Sequence, residues 1–214
     1  MNIKVCGITS LKQLQQLDGL DVDFAGLVFY KQSPRYAGIK LVKEEIAGCD
    51  LDIKKVGVFV NAEFDEIIKT VEDYNLDVVQ LHGDESPYLC EQISNEIEVI
   101  KAFRVDDASD KSIDYMVQDY DEVCDYYIFD AAAKNSFGGS GVKFNWNKIS
   151  ESKIEKPFFL SGGISPADSG IIKTFVHPDF YGVDLNSRFE KEPGVKDMAL
   201  VLQFIHSLKQ PVKK

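Results

Sequence analysis

Short apolar runs alternate with amphipathic stretches from one end of the chain to the other. The runs are Ile3–Cys6, Phe24–Phe29, Val56–Val60, Val78–Leu81, Val99–Phe103, Tyr127–Phe129, Phe158–Leu160 and Tyr181–Leu185. Their apolar residues are mostly consecutive, the mark of strands covered on both faces. Between them, apolar side chains recur at helical spacing: Leu11, Leu14 and Leu17; Phe64, Ile67, Ile68 and Val71; Ile113, Met116, Val117 and Tyr120. Shorter helices are expected around Leu41, Val42 and Ile46, and around Tyr88, Leu89, Gln92 and Ile93. Ser165-Pro166 reads as an N-cap with proline at the first helical position. Met198, Val201, Leu202, Ile205 and Leu208 give the last helix. Strand and helix alternating in this way predict a parallel sheet, and eight such units close into a single α/β (β/α)8 TIM barrel. The barrel is expected over 1–208, with 209–214 as a frayed tail. The other arrangement is an open doubly wound sheet, but its Gly-x-Gly-x-x-Gly fingerprint is missing after the first strand.

Composition narrows the function. A chain of 214 residues can bury a substantial core as one domain, and 44% hydrophobic residues is ordinary for a globular protein. A net charge of -11 speaks against nucleic acid as a partner. No apolar run approaches the ~20 residues of a membrane span, and Met1–Lys4 enters a strand without a signal-peptide pattern. Cys6, Cys49, Cys90 and Cys124 lack the spacing of a zinc site or a redox dithiol, and suit reduced thiols in a cytoplasmic protein. No metal and no cofactor is expected. A monomer and a homodimer are both compatible with the sequence. Overall acidity still allows an anionic ligand, because local N–H groups and a few arginines can bind phosphate.

In a barrel, the C-terminal ends of all strands share one face. Cys6, Arg35, Asn61, Gln80 with His82, Arg104, Asp130, Ser161 and Asp184 stand in or just past those ends. Cys6 is either a small core residue or a base, since a modest lowering from about 8.5 makes a thiolate at neutral pH. Asp130 is either a capping or ion-paired carboxylate, or an acid holding a proton for donation. Gly138-Gly139-Ser140-Gly141 and Ser161-Gly162-Gly163 are tight turns or a phosphate cradle, the second leading into a helix start. Arg35 and Arg104 are planar cations suited to a carboxylate. His82 is a hydrogen-bond donor behind the site or a polar rim residue, with the rim preferred.

Several segments, in order and over almost the whole chain, carry a family resemblance. They are Lys4-Val5-Cys6-Gly7-Ile8-Thr9, Ser33-Pro34-Arg35, Val58-Phe59-Val60-Asn61, Gln80-Leu81-His82-Gly83-Asp84-Glu85, Phe129-Asp130, Gly138–Gly141, Leu160–Ile164 and Asp184–Asp197. Together they resemble the phosphoribosylanthranilate isomerases of tryptophan biosynthesis. The resemblance implies an Amadori rearrangement of N-(5-phosphoribosyl)anthranilate, a small phosphorylated substrate, to 1-(2-carboxyphenylamino)-1-deoxyribulose 5-phosphate. It makes Asp130 the general acid, Cys6 as thiolate the general base, and Arg35 the holder of the anthranilate carboxylate. Gly138, Gly139, Ser161, Gly162 and Gly163 would hold the phosphate; Asp184, Asn186, Ser187, Arg188 and His82 complete the expected substrate-binding set. The family often reads Asp-Val-Ser-Ser-Gly-Val-Glu after the eighth strand, whereas this chain has Asp184-Leu185-Asn186-Ser187-Arg188-Phe189-Glu190. Arg188 therefore either adds a cationic contact or closes the loop, or it faces solvent. One rival is the aldose–ketose isomerase of histidine biosynthesis, which uses paired aspartates and two phosphate loops; here the first strand carries Cys6, and no glycine cluster follows the third. A non-catalytic barrel subunit is the other rival, and the presence of both Cys6 and Asp130 speaks against it.

Overall fold

The structure, a computed structural model, describes residues 1–132 and 143–210. Gly138 and Gly139 of the expected phosphate cradle lie outside the described residues, as do 211–214 of the tail. Eight strands form the sheet: β1 (Asn2–Cys6), β2 (Phe24–Val28), β3 (Lys54–Phe59), β4 (Val78–Leu81), β5 (Glu98–Val105), β6 (Tyr126–Ala131), β7 (Phe158–Leu160) and β8 (Phe180–Leu185). Each pairs in parallel with the next, and β8 returns to β1, so the sheet is a closed barrel rather than an open one. The connecting helices are α1 (Leu11–Asp18), α2 (Lys43–Ala47), α3 (Phe64–Tyr74), α4 (Pro87–Ser94), α5 (Ile113–Val117), α6 (Asn147–Ser150), α7 (Ser169–Thr174) and α8 (Met198–Lys209).

The consecutive apolar residues of the strands serve two cores. One set of alternating positions packs against the helices. The other, including Phe24, Val56, Val78, Ile100, Ile128 and Phe159, fills the lumen. Near the N-terminal ends of the strands Phe24, Tyr126, Phe159 and Tyr181 interlock, with Phe24–Phe159 at 5.4 Å and Phe159–Tyr181 at 5.3 Å between ring centroids, both edge-on. This aromatic floor places the apolar half of the lumen below and leaves the polar strand ends at the mouth.

Local signals set the helix ends. The Ser10 hydroxyl caps α1, and Ser86 caps α4 ahead of Pro87. Asn75 ends α3 in the left-handed conformation, φ 48°. The expected start at Ser165-Pro166 is a 3-10 turn, Pro166–Asp168, ahead of α7, and the Asp168 carboxylate accepts from both Ser165 N and Ser165 Oγ at 2.7 Å. Tyr120 falls outside α5, and its hydroxyl donates to the Glu85 carbonyl. α8 runs through Lys209, one residue past the expected end of the barrel.

One element lacks any period in the sequence: an antiparallel hairpin of β9 (Glu190–Glu192) and β10 (Val195–Lys196). It is tied to the segment after β1. The Thr9 hydroxyl and Gln13 Nε2 donate to the Gly194 carbonyl at 2.5 and 3.1 Å, and Lys196 N donates to Gln13 Oε1 at 2.8 Å. Among the described residues no helix is long and apolar enough to cross a membrane.

Candidate active site

Side chains on a strand alternate between its two faces, so residues two apart on β1 both enter the lumen. These are Lys4 and Cys6. Parallel register then sets their neighbours: Lys4 lies level with Asp184 of β8, Cys6 with Gly26 of β2, and Arg104 of β5 with Asp130 of β6. At this end of the barrel a cavity of about 550 Å³ opens. Cys6, Arg35, His82, Asp130, Ser161, Gly162, Gly163, Asp184, Asn186 and Ser187 all line it, with Val28, Val58 and Val60 as an apolar wall. The expected site residues therefore converge, apart from Gly138 and Gly139, which are not described, and Arg188. Arg188 stands exposed on the 3-10 turn Ser187–Phe189 and is not among the described residues lining the cavity.

Cys6 is buried, and its sulfur occupies the space that a side chain on Gly26 would need: a Cβ there would stand 2.7 Å from Sγ. One residue pair below, Lys4 is fully buried and donates to Asp184 Oδ1 at 2.9 Å. Two charges in an apolar lumen are tolerable only as a pair, and removing one partner of such a pair costs about 3–5 kcal/mol. Burial raises the Cys6 thiol above its ordinary range. Lys4 opposes this, Asp184 adds to it, and Lys196 and Arg35 again oppose it. Burial works against the Lys4 ammonium, but the charges of Asp184 and Cys6 outweigh it and raise its affinity for the proton. Sequence reading picked out Cys6 and missed both lysines, because a lysine within a strand reads as solvent-facing. The alternation that puts Cys6 inward was the available signal for Lys4.

Asp130 is the penultimate residue of β6 and is buried. Its Oδ1 accepts from Ala131 N at 2.8 Å. β7 ends against it through Gly162, whose φ of 84° suits glycine, and where a Cβ would meet Ala131 N at 2.7 Å and Asp130 Oδ1 at 3.1 Å. A side chain at Gly162 would thus push the acid out of place. Asp130 Oδ2 faces His82 Nε2 at 3.4 Å. His82 is buried rather than on the rim, and its Nδ1 lies 2.6 Å from Nε2 of fully buried Gln80.

Arg35 reaches the mouth by crossing over Gly7, where a Cβ would stand 2.5 Å from Arg35 Cδ. Its Nε–Nη2 edge is already engaged. Nε donates to both oxygens of Glu190, at 2.9 and 3.1 Å, and Nη2 donates to Oε2 at 2.6 Å. The Lys196 ammonium donates to Glu190 Oε1 and to Asn186 Oδ1, each at 2.8 Å, and Gly194 N donates to Glu190 Oε1 at 3.0 Å. Glu190 thus clamps two cations above Cys6. It is the final residue of the Asp184–Glu190 segment, and the arginine it serves could not be named from sequence.

Burial pushes the Glu190 carboxyl up, but Arg35 and Lys196 outweigh it and hold the group below the ordinary carboxylate range. The native state therefore binds this proton less readily than the unfolded chain. The resulting stabilisation is present above the unfolded value of ~4.3 and is lost as pH falls through the lower folded value. Denaturant unfolding from pH 7 to pH 3 should show this loss, and Glu190→Gln should flatten it while lowering stability at neutral pH. An unchanged slope in Glu190→Gln would contradict the clamp.

Two other expected strand-end residues are tied to the Asp84-Glu85 turn. Asn61 is a loop tie: its Oδ1 accepts from Asp84 N, and its N donates to Glu85 Oε1. Arg104 lines the cavity and pairs with Asp84.

Comparison with known proteins agrees with this geometry. Residues 3–207 match the family model described as N-(5'-phosphoribosyl)anthranilate (PRA) isomerase. A curated N-(5'-phosphoribosyl)anthranilate isomerase from Parabacteroides distasonis is 37% identical, over 99% of this chain and 95% of the relative. Among solved structures, the phosphoribosylanthranilate isomerase of Thermotoga maritima superposes with a TM-score of 0.81 at 30% identity, covering 98% of both chains. A phosphoribosylanthranilate isomerase in complex with reduced 1-(o-carboxyphenylamino)-1-deoxyribulose 5-phosphate superposes with a TM-score of 0.78, also at 30% identity and 98% of both chains. The match runs across every barrel strand and all the described site segments, so the chain belongs to the N-(5'-phosphoribosyl)anthranilate isomerase family.

Proposed function

We propose that Asp130 and Cys6 are the general acid and general base with which this isomerase rearranges N-(5'-phosphoribosyl)anthranilate. Asp130 gives its proton to the furanose ring oxygen. The bond from that oxygen to C1 breaks, and the nitrogen lone pair forms the C1 iminium. The Cys6 thiolate then removes the proton from C2, and the electrons of that bond neutralise the iminium to give an enolamine. Tautomerisation of the enolamine yields the ketone, 1-(2-carboxyphenylamino)-1-deoxyribulose 5-phosphate. Atoms balance between substrate and product, and a 1,2 proton shift of this kind needs one acid and one base held apart.

The observation that carries this reading is that Cys6 and Asp130, from strands that are not neighbours, open into one cavity. The ligand of the related solved complex is a reduced carboxyphenylamino pentulose phosphate, close in structure to the product of this reaction. Arg35 is the cation placed to meet the anthranilate carboxylate, through the Nη1 amine that Glu190 leaves over. Ser161, Gly162, Gly163, Asn186 and Ser187 line the side of the cavity suited to the phosphate. Gly138 and Gly139 lie outside the described residues, so their part in the cradle rests on the sequence pattern alone. The four free thiols suit a reducing compartment such as the cytoplasm.

Purified protein mixed with freshly made phosphoribosylanthranilate should extinguish its fluorescence at a rate proportional to enzyme. Folded protein that gives no turnover would overturn the catalytic assignment. Turnover only of the larger bisphosphorylated aminoaldose of histidine biosynthesis would move the substrate to the rival class.

A further inference from the structure

The hydrogen bonds around Asp130 point to a residue that works without being either acid or base. His82 Nδ1 is committed to the Gln80 amide at 2.6 Å. His82 Nε2 is buried, has no hydrogen-bond partner among the described residues, and faces Asp130 Oδ2 at 3.4 Å. Gln80 Oε1 is likewise buried without a partner. A buried polar atom left in that condition is costly and calls for a role. The separation of 3.4 Å is long for a charge-assisted hydrogen bond, as is common where a catalytic contact tightens only around the substrate.

We propose that His82, backed by Gln80, is a positioning residue for Asp130, orienting its carboxyl group and stabilising the carboxylate left when its proton has passed to the substrate. This rests on Asp130 being the acid. Asp130 Oδ1 accepts from the Ala131 amide, which turns Oδ2 toward the imidazole. With Nδ1 accepting from the Gln80 amide nitrogen, the neutral ring carries its proton on Nε2 and aims it at Asp130 Oδ2. When Asp130 has passed its proton to the ring oxygen, that N–H donates to the new carboxylate and stabilises it, and no proton moves within the His82–Gln80 pair. The fully buried, uncharged Gln80 sets this tautomer without placing a charge behind the ring, as a carboxylate there would.

A double-mutant cycle tests the proposal with His82→Ala, Asp130→Asn and the two together, each checked for folding by circular dichroism and assayed for kcat and KM. If His82 acts through Asp130, His82→Ala lowers kcat about tenfold or more with KM changed less than about twofold, and adds no further loss in the Asp130→Asn background. A purely structural role would give the same loss in both backgrounds and would overturn the proposal. A raised KM with normal kcat would overturn it too, making His82 a substrate contact. Should His82→Ala fail to fold, Gln80→Met keeps the volume and removes the amide, and must show the same non-additive loss of kcat; an additive loss or none refutes the proposal. A normal kcat in Asp130→Asn alone would instead refute the assignment of the acid.

Discussion

Cys6→Ser should lower kcat by about 10²- to 10⁴-fold and leave KM nearly unchanged. Serine keeps the size of the side chain and the close fit over Gly26, where Sγ fills the space of a missing Cβ. It loses the one property the reaction needs, because an alcohol ionises far less readily than a thiol. The cations around the site sharpen this expectation. Burial raises the Cys6 thiol, and Lys4, Lys196 and Arg35 counteract that rise. A thiol held above its ordinary range yields more thiolate as pH rises, so the wild-type rate should climb from neutral into alkaline pH. Cys6→Ser should lose that climb along with most of the rate. Steady-state fluorescence assays across pH would show both effects; a near-normal kcat in Cys6→Ser would remove Cys6 from the mechanism.

Asp130→Asn should be as damaging, again by about 10²- to 10⁴-fold in kcat with little change in KM. The carboxamide preserves an oxygen to accept from Ala131 N and fits the space bounded by Gly162. It has no acidic proton to give to the ring oxygen, so the substrate binds but its ring stays closed. Burst and single-turnover measurements would place the loss at ring opening. A loss confined to KM, with kcat retained, would mean that Asp130 binds substrate rather than protonating it.

The fold was legible because its signals are local. Consecutive apolar residues in Phe24–Val28 and Phe158–Leu160 announce strands buried on both faces, and Ile67 with Tyr74 shows the buried stripe of α3. The β9–β10 hairpin was not legible: Glu190–Glu192 is charged and short, and its pairing depends on contacts with Thr9 and Gln13 from the opposite end of the chain. The 3-10 turn before α7 was missed for a similar reason, since Ser165 and Pro166 mark where a helix begins without specifying its first turn.

The strand-end rule was enough to gather Cys6, His82, Asp130, Ser161 and Asp184 at one mouth, since every strand of a parallel barrel points its C-terminal end the same way. Residue type alone did not give the place of Arg188, which stands exposed on the turn Ser187–Phe189 and is not among the described residues lining the cavity.

Sequence alone determined the number and order of the strands, the closed α/β architecture, the family, and which side chains stand at the strand ends. All of these follow from periodicity and motif, which are properties of neighbouring residues. Tertiary structure alone decided how those side chains are paired. Lys4 meets Asp184 across 180 positions, Arg35 meets Glu190 across 155, and His82 stands between Gln80 and Asp130. Those pairings depend on barrel closure and strand register, which bring distant residues within 3 or 4 Å, and there the choice of partner determines each group's charge, orientation and proton affinity.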